Sequence, residues 1–213
     1  MRILALDTSG PYCACALLTG EVCLESLAED MPRGQAERLL PLAQEILERH
    51  DVAMRDLDAV AVGIGPGNFT GIRIALSAAR GLALALEIPA IGVSSFEALA
   101  FGHDGPLLVS LDARRDRLYL QGFGDADCPP QIAAPGALPE LELPPGTLVL
   151  GHNAAQIAAE LGLRAGPETT LPGIEAIARI AAGRPGPYDP PAPLYLRPPD
   201  AAPPADPPPA MLE

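Results

Sequence analysis

The chain has 213 residues, 48% of them hydrophobic, with only 4% aromatic and no tryptophan. That suffices for one compact unit, or for two small lobes sharing a cleft, with an aliphatic core. The net charge of -13 and the absence of lysine, all fourteen basic residues being arginine, speak against a free-standing nucleic-acid binder with a basic stripe and exclude a P-loop lysine, a Schiff-base lysine and a Ser-Lys dyad.

Along the chain, residues 2–7 (RILALD) read as a buried strand ending in a carboxylate, and 8–11 as a turn. Residues 12–18 and 21–27 complete an antiparallel meander. A helix follows over 35–50, with Leu39, Ala43, Ile46 and Leu47 on one face and a kink expected near Pro41. Residues 57–64 form a strand, 65–71 a glycine-rich loop, and 72–86 a helix apolar nearly all round. A strand at 89–93 leads into a short helix over 94–101 capped by Ser94 or Ser95. Three meandering strands followed by alternating helix and strand is the pattern of an RNase H-like or actin-like α/β lobe.

The second half restarts in the same way: LLVSLD at 107–112 echoes ILALD at 3–7, and 117–123 is the next strand. This weak internal repeat fits a duplicated fold. Residues 126–145 look loop-like. A strand at 148–150 and helices at 154–161 and 174–182 follow. The expected division is a first lobe over 1–104, a reduced second lobe over 105–197, and a Pro- and Ala-rich disordered tail over 198–213.

Cys13, Cys15, Cys23 and Cys128 lack C-x-x-C spacing and read as core thiols of a reducing compartment. The first apolar run is broken at once by Asp7, which argues against a signal peptide. The most apolar stretch carries Arg73 and Arg80, which argues against a membrane span. A cytoplasmic location is expected, with no membrane partner.

Residues 63–73 read GIGPGNFTGIR. Gly63, Gly65, Gly67 and Gly71 permit positive φ and close backbone approach, and Asn68 or Thr70 can cap the next helix. Amides at such a helix start can cradle an anion, and the same loop serves equally as a tight turn without a ligand. The candidate anion or nucleotide contacts are Asp7, Thr8, Gly67, Asn68 and Thr70.

The whole string G-x-G-P-G-N-F-T-G-x-R, after a strand D-x-x-A-V-A-V, resembles the signature of the TsaB (YeaZ) family. ILALDT at the start, Pro32-Arg33, RLLP at 38–41, IPAIGVS at 88–94, LDAR at 111–114 and PLYLR at 193–197 match in the same order. The resemblance spans roughly residues 1–197. Two departures stand out: Gln35 lies where the family often has histidine, and 126–145 matches poorly. The resemblance implies an actin-like (RNase H-like, ASKHA) fold whose second lobe is reduced. It also implies a non-catalytic scaffold subunit that binds a TsaD-like catalytic subunit and a TsaE-like ATPase. Together these put a threonylcarbamoyl group on adenosine 37 of tRNA, which this chain meets only through the complex. No cofactor is tightly bound on this reading, with room for weak ATP or ADP at a joint surface.

The residues agree with an inactive paralogue. The TsaD-like N-H-x-E-G-H motif sets two histidines at i, i+4 for a metal. The matching positions here are Ser95 and Leu99, and leucine cannot ligate, so no metal is expected. His50, His103 and His152 are scattered singly. The alternative is an actin-like ATPase or phosphotransferase using Asp7 and Asp112, which read equally as turn- or cap-forming carboxylates. Against it, the turn LDARRDR lacks the glycines of a second phosphate loop. A protease needs a triad or HExxH, and neither Ser9 nor Cys13 has one.

The helix at 71–86 carries small residues at Gly71, Ala75, Ala79 and Ala83, with a second strip at Ala78, Gly81 and Ala85. Such a helix must be covered on several sides, either by the 35–50 helix internally or by a partner. The resemblance favours a partner, so the expected interface is Leu39, Leu42, Ile46, Gly71, Ala75, Ala79 and Ala83, with Ala79→Glu expected to break it. Alone, the chain can homodimerise through the same surface.

Overall fold

The computed structural model describes residues 1–169 and 173–197. The tail expected to be disordered lies outside the described residues. The chain forms two five-stranded mixed sheets. In the first, β1 (Arg2–Asp7), β2 (Tyr12–Thr19) and β3 (Val22–Asp30) form the meander, and β4 (Ala59–Gly63) and β5 (Ala90–Val93) add in parallel, giving the order β3-β2-β1-β4-β5.

The second sheet holds β6 (Leu107–Asp112), β7 (Leu118–Phe123), β8 (Gln131–Ala133), β9 (Leu148–Gly151) and β10 (Arg164–Ala165), in the order β10-β9-β6-β7-β8. Read from its own first strand, this is the same topology: β6 pairs antiparallel with β7 and parallel with β9, as β1 pairs with β2 and β4. The LD repeat therefore marks a true duplication, and Asp7 and Asp112 end equivalent strands. The stretch 126–145 is not all loop, because β8 supplies the third meander strand there. What the second lobe lacks is a helix between that strand and the next, which is its reduction.

Helices α1 (Gln35–Arg49) and α2 (Phe69–Leu86) cover one face of the first sheet. Helix α1 continues unbroken through Pro41, which sits on its exposed side. Arg38 bridges Glu29 (2.7 Å) and Glu45 (2.5 Å), and Arg49 pairs with Glu25 (2.7 Å), tying α1 to β3. Cys13 and Cys15 lie in the core under α1, while Cys23 and Cys128 are half-buried. Helix α3 (Ser95–Ala100) is capped by Ser94, whose Oγ accepts from Glu97 N while Glu97 Oε2 accepts from Ser94 N, the reciprocal capping box. Helix α4 (Ala154–Leu161) packs in the second lobe.

Helix α5 (Ile174–Gly183) corrects the expected division. It follows the second sheet in sequence but packs on the first. Ile174, Ile177, Ala178 and Ala181 close over Ile3, Ala5, Ala14, Ala16 and Ala61. The reason is coverage: α1 and α2 protect only one face of that sheet, and the even apolar run of β1, β2 and β4 leaves the other face equally hydrophobic. The first lobe is thus residues 1–104 together with the returning helix. Among the described helices, α2 alone is long and apolar enough to cross a bilayer by composition. Here its Ile72, Ala75, Leu76 and Ala79 face is part of the core.

Candidate functional site

The ends of β1 and β4 meet the start of α2. Asp7 is 1% exposed. Its Oδ1 accepts from Ser9 N (2.9 Å), and its Oδ2 accepts from the Tyr12 hydroxyl (2.6 Å) and from Ser9 Oγ (3.1 Å). A Cβ on Gly63 would strike this carboxylate. Burial pushes the Asp7 carboxyl above the usual range, partly offset by the hydrogen bond from Tyr12, and burial together with Asp7 raises the Tyr12 phenol. The carboxylate is spent on its own turn. Asp112, at the equivalent strand end, is exposed and accepts from Arg114 N (2.7 Å), the turn-forming geometry of an Asx residue.

The glycine-rich loop closes on the same turn. Asn68 N donates to Ser9 O (2.6 Å), and Thr8 Oγ1 donates to Gly71 O (2.6 Å). A Cβ on Gly67 would overlap Ser9 O, and one on Gly71 would overlap Thr8 O. These two glycines are therefore required for backbone contact within the chain. Asn68 caps α2, its Oδ1 accepting from Thr70 N (3.0 Å) and Gly71 N (3.2 Å). Helix α2 accordingly starts at Phe69, earlier than the sequence reading. Of the candidate anion contacts, Asp7 and Thr8 are buried, Asn68 is half-buried, and Gly67 and Thr70 are exposed.

Gln35 secures the turn from the other side. Its Nε2 donates to Gly10 O (2.8 Å) and Tyr12 O (2.6 Å). A neutral imidazole carries one N–H, whereas this site uses both protons of one amide nitrogen. The departure at this position was visible in the sequence, but the two carbonyls it serves were not.

The positions matching the metal-binding histidines are filled by packing. Ser95 is buried and its Oγ donates to Pro66 O (3.3 Å); Leu99 packs with Phe96, Val109 and Leu111. Among the described residues no cluster of three or more His, Cys, Asp or Glu could hold a metal ion. Burial and nearby Glu29 raise the Cys13 thiol to about 11, far from a reactive thiolate.

The seven expected interface residues face inward. Leu39, Leu42, Ile46, Gly71, Ala75, Ala79 and Ala83 are all buried within the chain. The cause is their close approach to the sheet: the small strip of α2 lets that helix sit low on β1 and β4. Outward from α2 face Thr70, Arg73, Ser77, Arg80, Gly81, Leu84 and Ala85, and from α1 Leu40, Pro41 and Gln44. Leu84 is 83% exposed and Leu40 is 43% exposed. The second small-residue strip, at Ala78, Gly81 and Ala85, is the one nearer the surface; a side chain added at Gly81 would meet nothing.

The profile of the family described as TsaD, tRNA N6-adenosine threonylcarbamoyltransferase, matches residues 29–133. The Escherichia coli tRNA threonylcarbamoyladenosine biosynthesis protein TsaB is 40% identical over 124 residues, covering 56% of this chain and 53% of that protein. The chain spans about half the length of the curated TsaB relatives it matches. An uncharacterized Mycobacterium tuberculosis protein is 34% identical over 94% of both chains. The solved structure of YeaZ from Pseudomonas aeruginosa superposes with a TM-score of 0.70 at 30% identity, covering 85% of this chain and 90% of that one. The chain belongs to the TsaB/YeaZ family.

The fold is accordingly the actin-like, RNase H-like one. The closing segment that resembles the TsaB P-x-Y-L-R runs between the lobes. Leu194 N donates to Ile64 O (2.9 Å), and Leu194 and Leu196 pack against the cluster in which Phe96 of the first lobe meets Leu111 and Tyr119 of the second. Tyr195 stacks on Phe69 with ring centroids 4.8 Å apart, and its hydroxyl accepts from Arg73 Nε (2.8 Å). The Arg73 guanidinium lies 3.7 Å from the Phe69 ring centroid. Arg197 Nη1 donates to Ala113 O (3.2 Å). Sequence reading placed this segment in the family pattern but assigned no role to Arg73, Phe69, Tyr195 or Arg197.

Proposed function

We propose that the chain is a non-catalytic subunit of a tRNA threonylcarbamoyladenosine-forming complex and docks onto a TsaD-like catalytic subunit through the outer faces of α1 and α2. The observation that carries this reading is the uncovered side of α2. Leu84 stands almost fully in solvent beside Ser77, Gly81 and Ala85, which allow another helix to approach closely. The names of the curated relatives supply the pathway. The internal satisfaction of Asp7 and the packed Ser95 and Leu99 support an inactive role for this chain. The partner supplies metal and chemistry, a TsaE-like ATPase joins the same assembly, and the setting is cytoplasmic.

Nucleotide binding, on this reading, is weak and confined to a joint surface, where Gly67 and Thr70 are the exposed members of the loop. Without its partner the chain pairs with itself through the same helices.

The test is co-elution with the cognate TsaD-like and TsaE-like proteins, together with threonylcarbamoylation of tRNA with and without this chain. Both should require it. ATP hydrolysis by the chain alone, with partners indifferent to it, would replace this reading with that of an actin-like phosphotransferase.

A further inference from the structure

In α1 and α5 every arginine lies against a carboxylate: Arg38 on Glu29 and Glu45, Arg49 on Glu25, and Arg179 on Glu175. Helix α2 departs from this. Its arginines are Arg73 and Arg80, and no Asp or Glu lies between Phe69 and Leu86. Among the described residues Arg80 makes no hydrogen bond or ion pair. Arg73 donates from Nε to the Tyr195 hydroxyl (2.8 Å) and rests on Phe69, and it too meets no carboxylate.

Both arginines stand on one exposed row. Thr70, Arg73, Ser77, Arg80 and Leu84 are all exposed and recur at intervals of three, four, three and four residues. That is the 3.5-residue spacing of a seam that packs along a second helix. The two arginines are two turns apart, about 10 Å along the axis, on the same side of the helix. Leu84, 83% exposed, ends the row one turn beyond Arg80. Glu87 follows only as the C-cap, outside the helix and with left-handed backbone.

We infer that α2 docks against an acidic amphipathic helix of the partner, which carries two carboxylates about two turns apart to meet Arg73 and Arg80 and an apolar residue to meet Leu84. Two guanidinium groups pressed against a second helix lose water, and without counter-charges that loss outweighs the burial of Leu84. A second copy of the chain is a poor occupant. Paired along its full length with itself, α2 sets Arg73 near the second copy's Arg80 when antiparallel, and each arginine near its own mate when parallel. Helix α1 offers such a copy only Glu37 and Glu48 on its exposed side, and Glu48 already accepts from Gln44 (2.6 Å). Self-pairing through these helices is therefore the weaker association. Because Phe69 and Tyr195 already hold Arg73, little of its side-chain freedom is lost when a carboxylate meets it. The charge row thus sets which partner is accepted as well as how fast it arrives. The inference rests on docking through α2 and adds the chemistry that the docking partner must carry.

The experiment uses the full chain and the cognate TsaD-like subunit. Affinity is read by titration calorimetry, and association rate by stopped flow at about 50 and about 500 mM salt. Arg80 is the residue to change, since it makes no contact that holds the fold, and melting within about 3 °C of wild type checks this. Arg80→Glu should weaken binding at least about tenfold, and Arg80→Lys less than about threefold. The wild-type association rate should fall several-fold across that salt range, and the fall should vanish or reverse in Arg80→Glu. In sedimentation the same variant should self-associate more tightly than wild type, because the new carboxylate faces the second copy's Arg73. A merely structural defect would move both associations in the same direction. Exchanging the exposed carboxylates of the partner's docking helix for arginine, one at a time, should find one that restores binding to Arg80→Glu.

Equal partner affinity for wild type and Arg80→Glu would overturn the inference. So would an Arg80→Met variant that loses as much as Arg80→Glu with unchanged salt dependence, since the loss is then of packing and not of charge. Wild-type self-association that Arg80→Glu abolishes would also overturn it and make a second copy the occupant. Failure of the wild type to bind the TsaD-like subunit would fall on the docking proposal instead, and the self-association arm would still test the arginine row.

Discussion

The duplicated fold offers two equivalent turns with opposite fates. At the end of β1, Asp7 is buried and accepts from Ser9 N, Ser9 Oγ and the Tyr12 hydroxyl. Gln35 and the glycine-rich loop press that turn shut from two sides. At the end of β6, Asp112 is exposed, makes one local hydrogen bond and starts an open turn rich in arginine. Here one turn is a structural lock and the other an exposed, charged surface.

The lock should be the harder of the two to disturb. Gly71→Ala places a methyl group on the Thr8 carbonyl and should cost about 3 kcal/mol, read from urea unfolding. A wild-type midpoint in that variant would show that the loop can relax away from the β1–β2 turn. Asp7→Ala strands the Tyr12 hydroxyl and the Ser9 donors and should cost about 2 kcal/mol.

The pH dependence of the lock has a definite sign. Burial raises the Asp7 carboxyl, so the folded chain holds that proton to higher pH than the unfolded chain does. Its contribution to stability therefore grows as pH falls from the raised value toward the ordinary value of about 3.9. The melting temperature of the wild type, relative to Asp7→Asn, should rise as pH is lowered through that window. A pH-independent difference would mean that Asp7 titrates as an ordinary exposed carboxylate. The ion pairs of β3 and α1 act oppositely: arginines lower Glu25, Glu29 and Glu45, and that stabilisation is lost as pH falls through their lowered values. Both members of the comparison must therefore be measured at each pH. On the open turn, Arg114→Ala together with Arg117→Ala should change stability by less than about 0.5 kcal/mol, since neither side chain is buried.

Most of the architecture was legible because it rests on local patterns. The LD repeat, the strand alternation and the capping signals at Asn68 and Ser94 are written in adjacent residues. The placement of α5 was not legible: Ile174, Ile177 and Ala181 announce an amphipathic helix but not which sheet it covers. The short β8 and β10 were hidden by proline-rich or polar surroundings. Which strip of α2 faces the sheet was not legible either, for a physical reason. Helix α2 is apolar nearly all round, so its two small-residue strips look alike in sequence, and only packing shows that Gly71, Ala75, Ala79 and Ala83 lie against the sheet. Ala79→Glu, once an interface test, would bury a charge at a site with 0% exposure and unfold the lobe.

The more direct probe of the central claim is Leu84→Glu, which puts a charge on the most exposed apolar residue of α2 and should leave melting within a few degrees of wild type. Co-elution and titration with the cognate TsaD-like subunit, wild type against Leu84→Glu, should show affinity falling at least tenfold, about 1.4 kcal/mol, with tRNA threonylcarbamoylation falling in step. Unchanged affinity for both Leu84→Glu and a paired Gly81→Arg variant would contradict docking through α2.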